Sequence, residues 1–195
     1  MQKSNSYCLN IWERAQCLSI PSYILCHIKE ITLKNISKMK SVFILSIAPR
    51  MLLETLTISK CDELKHIIID TGDHDNTGGN NWGTVFPNLR SVEVGDCEQL
   101  EYIIGQYTDD HQNHTEIHLR LPALKCLSLW NLPSLVGMSR KQYQTTFPPF
   151  EELELIECSQ FANIKSIGDF ITHHSVIRSV DGRIIEVFIH DSIYL

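Results

Sequence analysis

Five stretches of this chain carry apolar residues at one shared spacing. Counted from Ile28, Leu53, Leu89, Leu124 and Phe150, offset 3 holds Ile31, Leu56, Val92, Leu127 and Leu153. Offset 5 holds Leu33, Ile58, Val94, Leu129 and Leu155. Offset 11 holds Met39, Leu64, Leu100, Leu135 and Phe161, and offset 14 holds Val42, Ile67, Ile103, Met138 and Ile164. Every one of these slots is apolar in a chain that is 43% hydrophobic, so chance is a poor explanation. No copy alone has a second apolar layer to bury against. The copies must stack on one another, which restricts the fold to a solenoid.

Alternation at offsets 3 and 5 marks a short strand over offsets 2 to 6. A turn follows, and a helical or irregular return carries offsets 11 and 14. Strands of successive copies should lie parallel, about 4.8 Å apart. Offset 8 is the tight place. It holds Cys61, Cys97 and Cys158 in three copies, and Ile36 and Leu132 in the others, where Asn35 and Asn131 stand one residue earlier. Two structural roles fit these cysteines: a compact weak donor to turn backbone, or a small core residue.

The copies start 25, 36, 35 and 26 residues apart, so the returns vary in length. Two polar inserts, Asp70–Gly83 and Gly105–His118, read as mobile loops. The motifs FPNL at Phe86, LPAL at Leu121 and FPPF at Phe147 lead back to the strand, and proline there favours an extended approach. Residues 1–27 read as an N-terminal cap or degenerate repeat, with Cys8, Ile11, Trp12, Ala15 and Leu18 on one helical stripe. Residues 28–170 are the repeats. Residues 171–195 read as a hairpin around Asp181-Gly182, with a sixth, degenerate repeat as the competing arrangement.

Composition excludes several classes of function. The formal charge is −6 and basic residues are scattered, so nucleic acid is not an expected partner. There is no apolar run of 18 residues, hence no expected membrane span. The N-terminus lacks the order of a secretory signal. Taking Met1 as the true start, the expected location is cytoplasmic. The seven cysteines are odd in number and contain no C-x-x-C, so neither a disulfide framework nor a zinc site is expected.

The segment DHDNTG places Asp73, Asp75, Thr77 and Gly78 like a calcium loop, but Thr84 stands where a bidentate glutamate is needed. His111, His114 and His118 have helical metal-ligand spacing in a segment with no apolar stripe to hold a helix, and read as exposed loop histidines. Phosphate-loop, dinucleotide, serine-hydrolase and zinc-protease motifs are absent. No catalytic, cofactor-binding or metal-binding residues are expected, and no enzyme.

The strand face is the better place for a site. If offsets 3 and 5 point inward, offsets 2, 4 and 6 point outward on the concave side. The candidate protein-binding residues there are Thr55, Thr57, Ser59, Ser91, Glu93, Ser128, Trp130, Glu152, Glu154 and Ile156. Trp130 is the one large aromatic among them. Either it stands as an interface anchor or it folds sideways onto Cys126 or Ile156.

The pattern L-x-x-L-x-L-x-x-C-x-x-L resembles the leucine-rich repeat. The expected class is therefore an α/β solenoid: a leucine-rich-repeat horseshoe segment with a parallel concave sheet and irregular convex returns. LETLTISKCDELKHI, FPNLRSVEVGDCEQLEYII and LPALKCLSLWNLPSLVGM look like repeats of plant intracellular nucleotide-binding, leucine-rich-repeat disease resistance proteins of the coiled-coil class. The resemblance covers about Ile28 to Ile164. The family's phosphate-binding loop is not in this sequence, so the chain reads as a fragment, a truncated product or a stand-alone repeat protein. The resemblance implies a recognition module for a pathogen effector, a host protein or the receptor's own domains. The alternative is the substrate receptor of a ubiquitin ligase, whose cysteine-bearing repeats are more even in length.

Overall fold

The computed structural model describes residues 7–8, 26–70, 82–106, 117–139, 143–148, 150–161, 176–180 and 184–188. After β1 (Tyr7–Cys8), the first copy forms β2 (Glu30–Lys34), β3 (Ser41–Ile44) and a short 3-10 turn, Ala48–Arg50. The second forms β4 (Thr55–Ser59), β5 (His66–Asp70) and β6 (Trp82–Thr84). The third forms β7 (Ser91–Gly95), β8 (Tyr102–Gln106) and β9 (Ile117–Arg120). The fourth forms β10 (Cys126–Trp130), β11 (Gly137–Ser139) and β12 (Tyr143–Thr146), and the fifth opens with β13 (Glu152–Ile156). Finally β14 (Val176–Val180) and β15 (Ile184–Phe188) pair antiparallel.

Equivalent strands of successive copies stack into three parallel sheets. Their orders are β1-β2-β4-β7-β10-β13, β11-β8-β5-β3 and β12-β9-β6. The chain is a leucine-rich-repeat solenoid, and the strand expected over offsets 2 to 6 is present in all five copies. Register in the first sheet follows the repeat offset by offset: Ile31 meets Leu56, Leu56 meets Val92, Val92 meets Leu127, and Leu127 meets Leu153. A slip of one residue would turn each inward leucine to the outer face, so burial fixes the register. All ten residues at offsets 3 and 5 are buried, as are the openers and offset 11. Full burial of each such side chain contributes about 1.5–3 kcal/mol.

The returns differ from expectation. They were expected to be helical or irregular, and they are parallel strands. Their sequences explain it: His66-Ile67-Ile68-Ile69 and Tyr102-Ile103-Ile104 are β-branched and aromatic runs that suit a pleated surface and crowd a helix. The insert boundaries shift accordingly. Asp70, Gly83, Gly105 and Gln106 belong to strands, and so does His118, which is half-buried in β9 and not part of an exposed loop. Ile11, Trp12, Ala15 and Leu18 of the helical stripe, Asp73 to Gly78, His111, His114 and Ile164 lie outside the described residues.

The corner after the first-sheet strand repeats closely. Offset 7 is left-handed in every copy: Asn35 (φ 57°), Lys60 (55°), Asp96 (52°), Asn131 (48°) and Glu157 (53°). Asparagine and aspartate tolerate this region best, which accounts for three of the five. A turn then closes from the offset-11 N–H to the offset-8 carbonyl, as from Leu64 to Cys61 (3.1 Å) and Leu100 to Cys97 (3.2 Å). The proline lead-ins at Phe86 and Leu121, expected to be extended, also close as turns, while Pro149 of the third lies outside the described residues. Leu89 donates to the Phe86 carbonyl (3.0 Å) and Leu124 to that of Leu121 (3.3 Å), with Pro87 and Pro122 in the second position that proline's fixed φ favours. Phe86 adopts φ 47°, held by its N–H to the Ala48 carbonyl (3.0 Å) and an edge-on contact with Phe43 at 5.0 Å.

Candidate functional site

The offset-8 cysteines show why the turn takes a thiol. Cys61 donates to the Ser59 carbonyl (3.5 Å), Cys97 to that of Gly95 (3.3 Å) and Cys158 to that of Ile156 (3.4 Å). Each of those carbonyls also accepts the offset-7 N–H of the preceding copy, from Asn35, Lys60 and Asn131. The thiol supplies a second, weak donor in a space where Cys61 and Cys97 are wholly buried. Both roles read from the sequence are therefore filled by one side chain. The Cys97 thiol is pushed far above the ordinary thiol range, by its hydrogen bond with Cys61 and then by burial. The cysteines are structural.

The outward positions of the first sheet form three ladders. Thr55, Ser91, Cys126 and Glu152 are in register, as are Thr57, Glu93, Ser128 and Glu154. The third ladder runs Ser59, Gly95, Trp130, Ile156. All ten candidate residues thus lie on four adjacent strands. Glu93 and Glu152 are exposed and the other eight are half-buried.

Trp130 neither folds onto Cys126 nor onto Ile156. Its indole leans the other way, over Gly95 of β7. A β-carbon placed on Gly95 would stand 1.8 Å from Trp130 Cε2 and 2.0 Å from Nε1. Gly95 is buried beneath it. The sequence held this signal, a glycine at offset 6 one copy before a tryptophan at offset 6, but it makes sense only once the register is known.

Charge is uneven over the molecule. At offset 1, Lys29 holds Glu54 (2.7 Å), and Lys125 holds Glu151. Hydrogen bonding and the charge of Lys29 draw the Glu54 carboxyl below its usual range. Lys65 pairs with Glu101 at 3.6 Å. On the outward face, Glu154 accepts from the Ser128 hydroxyl (2.8 Å). Cys126 has its thiol pushed up, first by burial and then by the charges of Glu152 and Glu151. Beyond the strand ends, the left-handed corners frame a shallow cleft of about 330 Å³ lined by polar side chains, among them Lys60, Asp62 and Glu98, with Asn131 donating to Asp96 (2.8 Å).

Among the described residues, no group of three or more His, Cys, Asp or Glu side chains is arranged to hold a metal ion. No helix among them is long and apolar enough to cross a membrane. What the outward face offers is surface: ladders of hydroxyls, carboxylates and one seated indole.

Comparison with known families identifies the repeats. The family model described as "Plant disease resistance protein RPS2-like, leucine-rich repeats" matches residues 62–167, a little over half of the chain. No curated protein and no solved structure matches it. The match takes in Cys97 and Cys158 at offset 8 and all strands of the third and fourth copies, and the chain belongs to the RPS2-like leucine-rich-repeat family of plant disease resistance proteins.

Proposed function

We propose that this chain is a protein-recognition module of a plant disease resistance receptor, and that its working surface is the outward face of the first sheet from β4 to β13. It acts by complementary contact and performs no chemistry. The partner is a pathogen effector, a host protein or another domain of the receptor, held inactive through the same face. The observation that carries this reading is the unbroken register of four strands, which brings ten candidate side chains into one strip around Trp130. An aromatic seated by packing before any partner arrives loses little entropy on binding, which suits an interface anchor. We place the protein in the cytoplasm, where free thiols such as Cys61, Cys97 and Cys126 stay reduced.

The test is capture of plant or pathogen proteins on the immobilised chain, followed by affinity measurement on whatever is retained. Trp130→Ala should weaken that affinity by about 2 kcal/mol or more. Glu152→Lys, at an exposed position, should weaken it without changing the unfolding midpoint. Undiminished affinity in both variants rules the face out.

A further inference from the structure

Trp130 does more than fill space over Gly95. Its inner face is spent on β7, and this fixes where the outer face of the ring points relative to two carboxylates. Glu93 lies on β7 two residues before Gly95, on the same side of the sheet, about 6.6 Å along the strand. Glu154 lies on the opposite neighbour, β13, and reaches back over β10, where its Oε2 accepts from Ser128, two residues before Trp130. Glu93 and Glu154 thus occupy the rung before Trp130, one on each strand that neighbours β10.

The charge around this group is one-sided. The nine outward positions of β7, β10 and β13 carry Glu93, Glu152 and Glu154, and no cation. The nearest lysine at the foot of these strands, Lys125, is engaged with Glu151. Lys60 at the corner beside Gly95 and Arg90 at the foot of β7 flank this face, but Glu93, Asp96, Glu152, Glu154 and Glu157 outnumber them on the same strands and corners, so the face is complementary to a cation from outside.

Resting on the reading of this face as an interface, we infer that it takes an arginine side chain presented by the protein partner, stacked on the outer face of Trp130 and donating to Glu93 and Glu154. Arginine fits better than lysine. The planar guanidinium stacks on an indole and directs N–H groups from its edge toward separate carboxylates, whereas an ammonium is a compact, strongly hydrated point charge. Ser128 keeps Glu154 in place with one oxygen and leaves the other for the ligand.

The experiment uses the whole chain, labelled with ¹⁵N, and follows the indole N–H of Trp130, identified by its loss in Trp130→Phe. The probes are N-acetyl-arginine amide, N-acetyl-lysine amide and the uncharged isostere N-acetyl-citrulline amide. The arginine probe should shift the Trp130 signal to saturation. Lysine and citrulline should bind at least about fivefold more weakly, and the double variant Glu93→Gln/Glu154→Gln should lose about fivefold in arginine affinity while keeping its folded spectrum. No arginine-dependent shift, equal binding of citrulline or lysine, or undiminished binding in the double variant overturns the inference. The two readings separate cleanly. If Trp130→Ala abolishes capture of a protein partner while the arginine probe leaves the indole unmoved, the interface stands and its arginine ligand falls. If arginine binds as described while Trp130→Ala captures the partner normally, the interface reading falls and the arginine site stands.

Discussion

The indole of Trp130 occupies the volume that a β-carbon on Gly95 would need, with Cε2 only 1.8 Å from that position. The two residues stand opposite one another on adjacent parallel strands, so the contact is a consequence of register and not of chain proximity. It resolves what an aromatic does on a strand face otherwise made of hydroxyls and carboxylates. One side of the ring is core for the neighbouring strand, and the other is available surface.

Gly95→Ala should therefore destabilise the protein by about 1–3 kcal/mol, the usual cost of overpacking. In a Trp130→Ala background the same change should cost little, or stabilise slightly, since alanine suits a strand interior better than glycine. A double-mutant cycle by urea unfolding measures the coupling. Additive effects would mean that the ring does not rest on Gly95.

The inward leucines give the complementary prediction. Leu56 and Leu127 are buried on neighbouring copies, and alanine at either should cost about 2–5 kcal/mol. Thr57→Ala, one residue along and facing outward, should stay within about 0.5 kcal/mol of the parent. Thermal or denaturant unfolding of the three variants checks the inside-out order of the strand. Equal losses at Leu56 and Thr57 would contradict it.

Much of this order was legible in the residues. The spacing of Leu53, Leu56, Ile58, Leu64 and Ile67 carries the strand, the corner and the start of the return, because burial selects apolar side chains at fixed intervals. The second and third sheets were not legible in the same way. The second sheet's strands include near-continuous apolar runs such as Ile67-Ile68-Ile69, which do not distinguish strand from helix by period, and the third sheet's, Trp82–Thr84, Ile117–Arg120 and Tyr143–Thr146, are too short and mixed in polarity to show a period. The proline lead-ins misled for a related reason: Pro87 fixes its own φ, while the left-handed Phe86 before it is held by burial and by Ala48, which local sequence does not contain. On the outward face, position was readable and direction was not. Trp130 has the strand position that the spacing gives it, but which neighbour it leans on depends on Gly95, 35 residues away in sequence.

The corner residues offer a test of backbone strain. Lys60 sits at φ 55°, a conformation that costs a branched-chain-free residue such as lysine about 1 kcal/mol and glycine almost nothing. Its side chain is exposed. Lys60→Gly should accordingly stabilise the fold by at most about 0.6 kcal/mol, the strain relieved less the extra freedom glycine gives the unfolded chain. A lowered unfolding midpoint would show that the lysine side chain contributes more than its backbone costs.

The buried thiols set the alkaline limit. Cys97 has its folded-state pKa raised, by its hydrogen bond with Cys61 and by burial, whereas in the unfolded chain the thiol titrates near 8.5. The sign follows directly. Below about pH 8 the thiol is protonated in both states and its contribution is fully present. Above pH 8.5 the unfolded chain loses a proton that the folded chain keeps, so stability falls as pH rises, approaching about 1.4 kcal/mol per pH unit for this one group. The same hydrogen bond draws Cys61 down to about 7, so the comparison is made in a Cys61→Ala background: urea unfolding of Cys61→Ala and of Cys61→Ala/Cys97→Ala between pH 7 and 10 isolates the burial of Cys97. The double variant loses the thiol hydrogen bond to Gly95 and starts less stable, yet its stability should decline less steeply above pH 8.5. Parallel curves would mean that Cys97 ionises as readily in the folded protein as in the unfolded one, and that the offset-8 position is open enough to hold a thiolate.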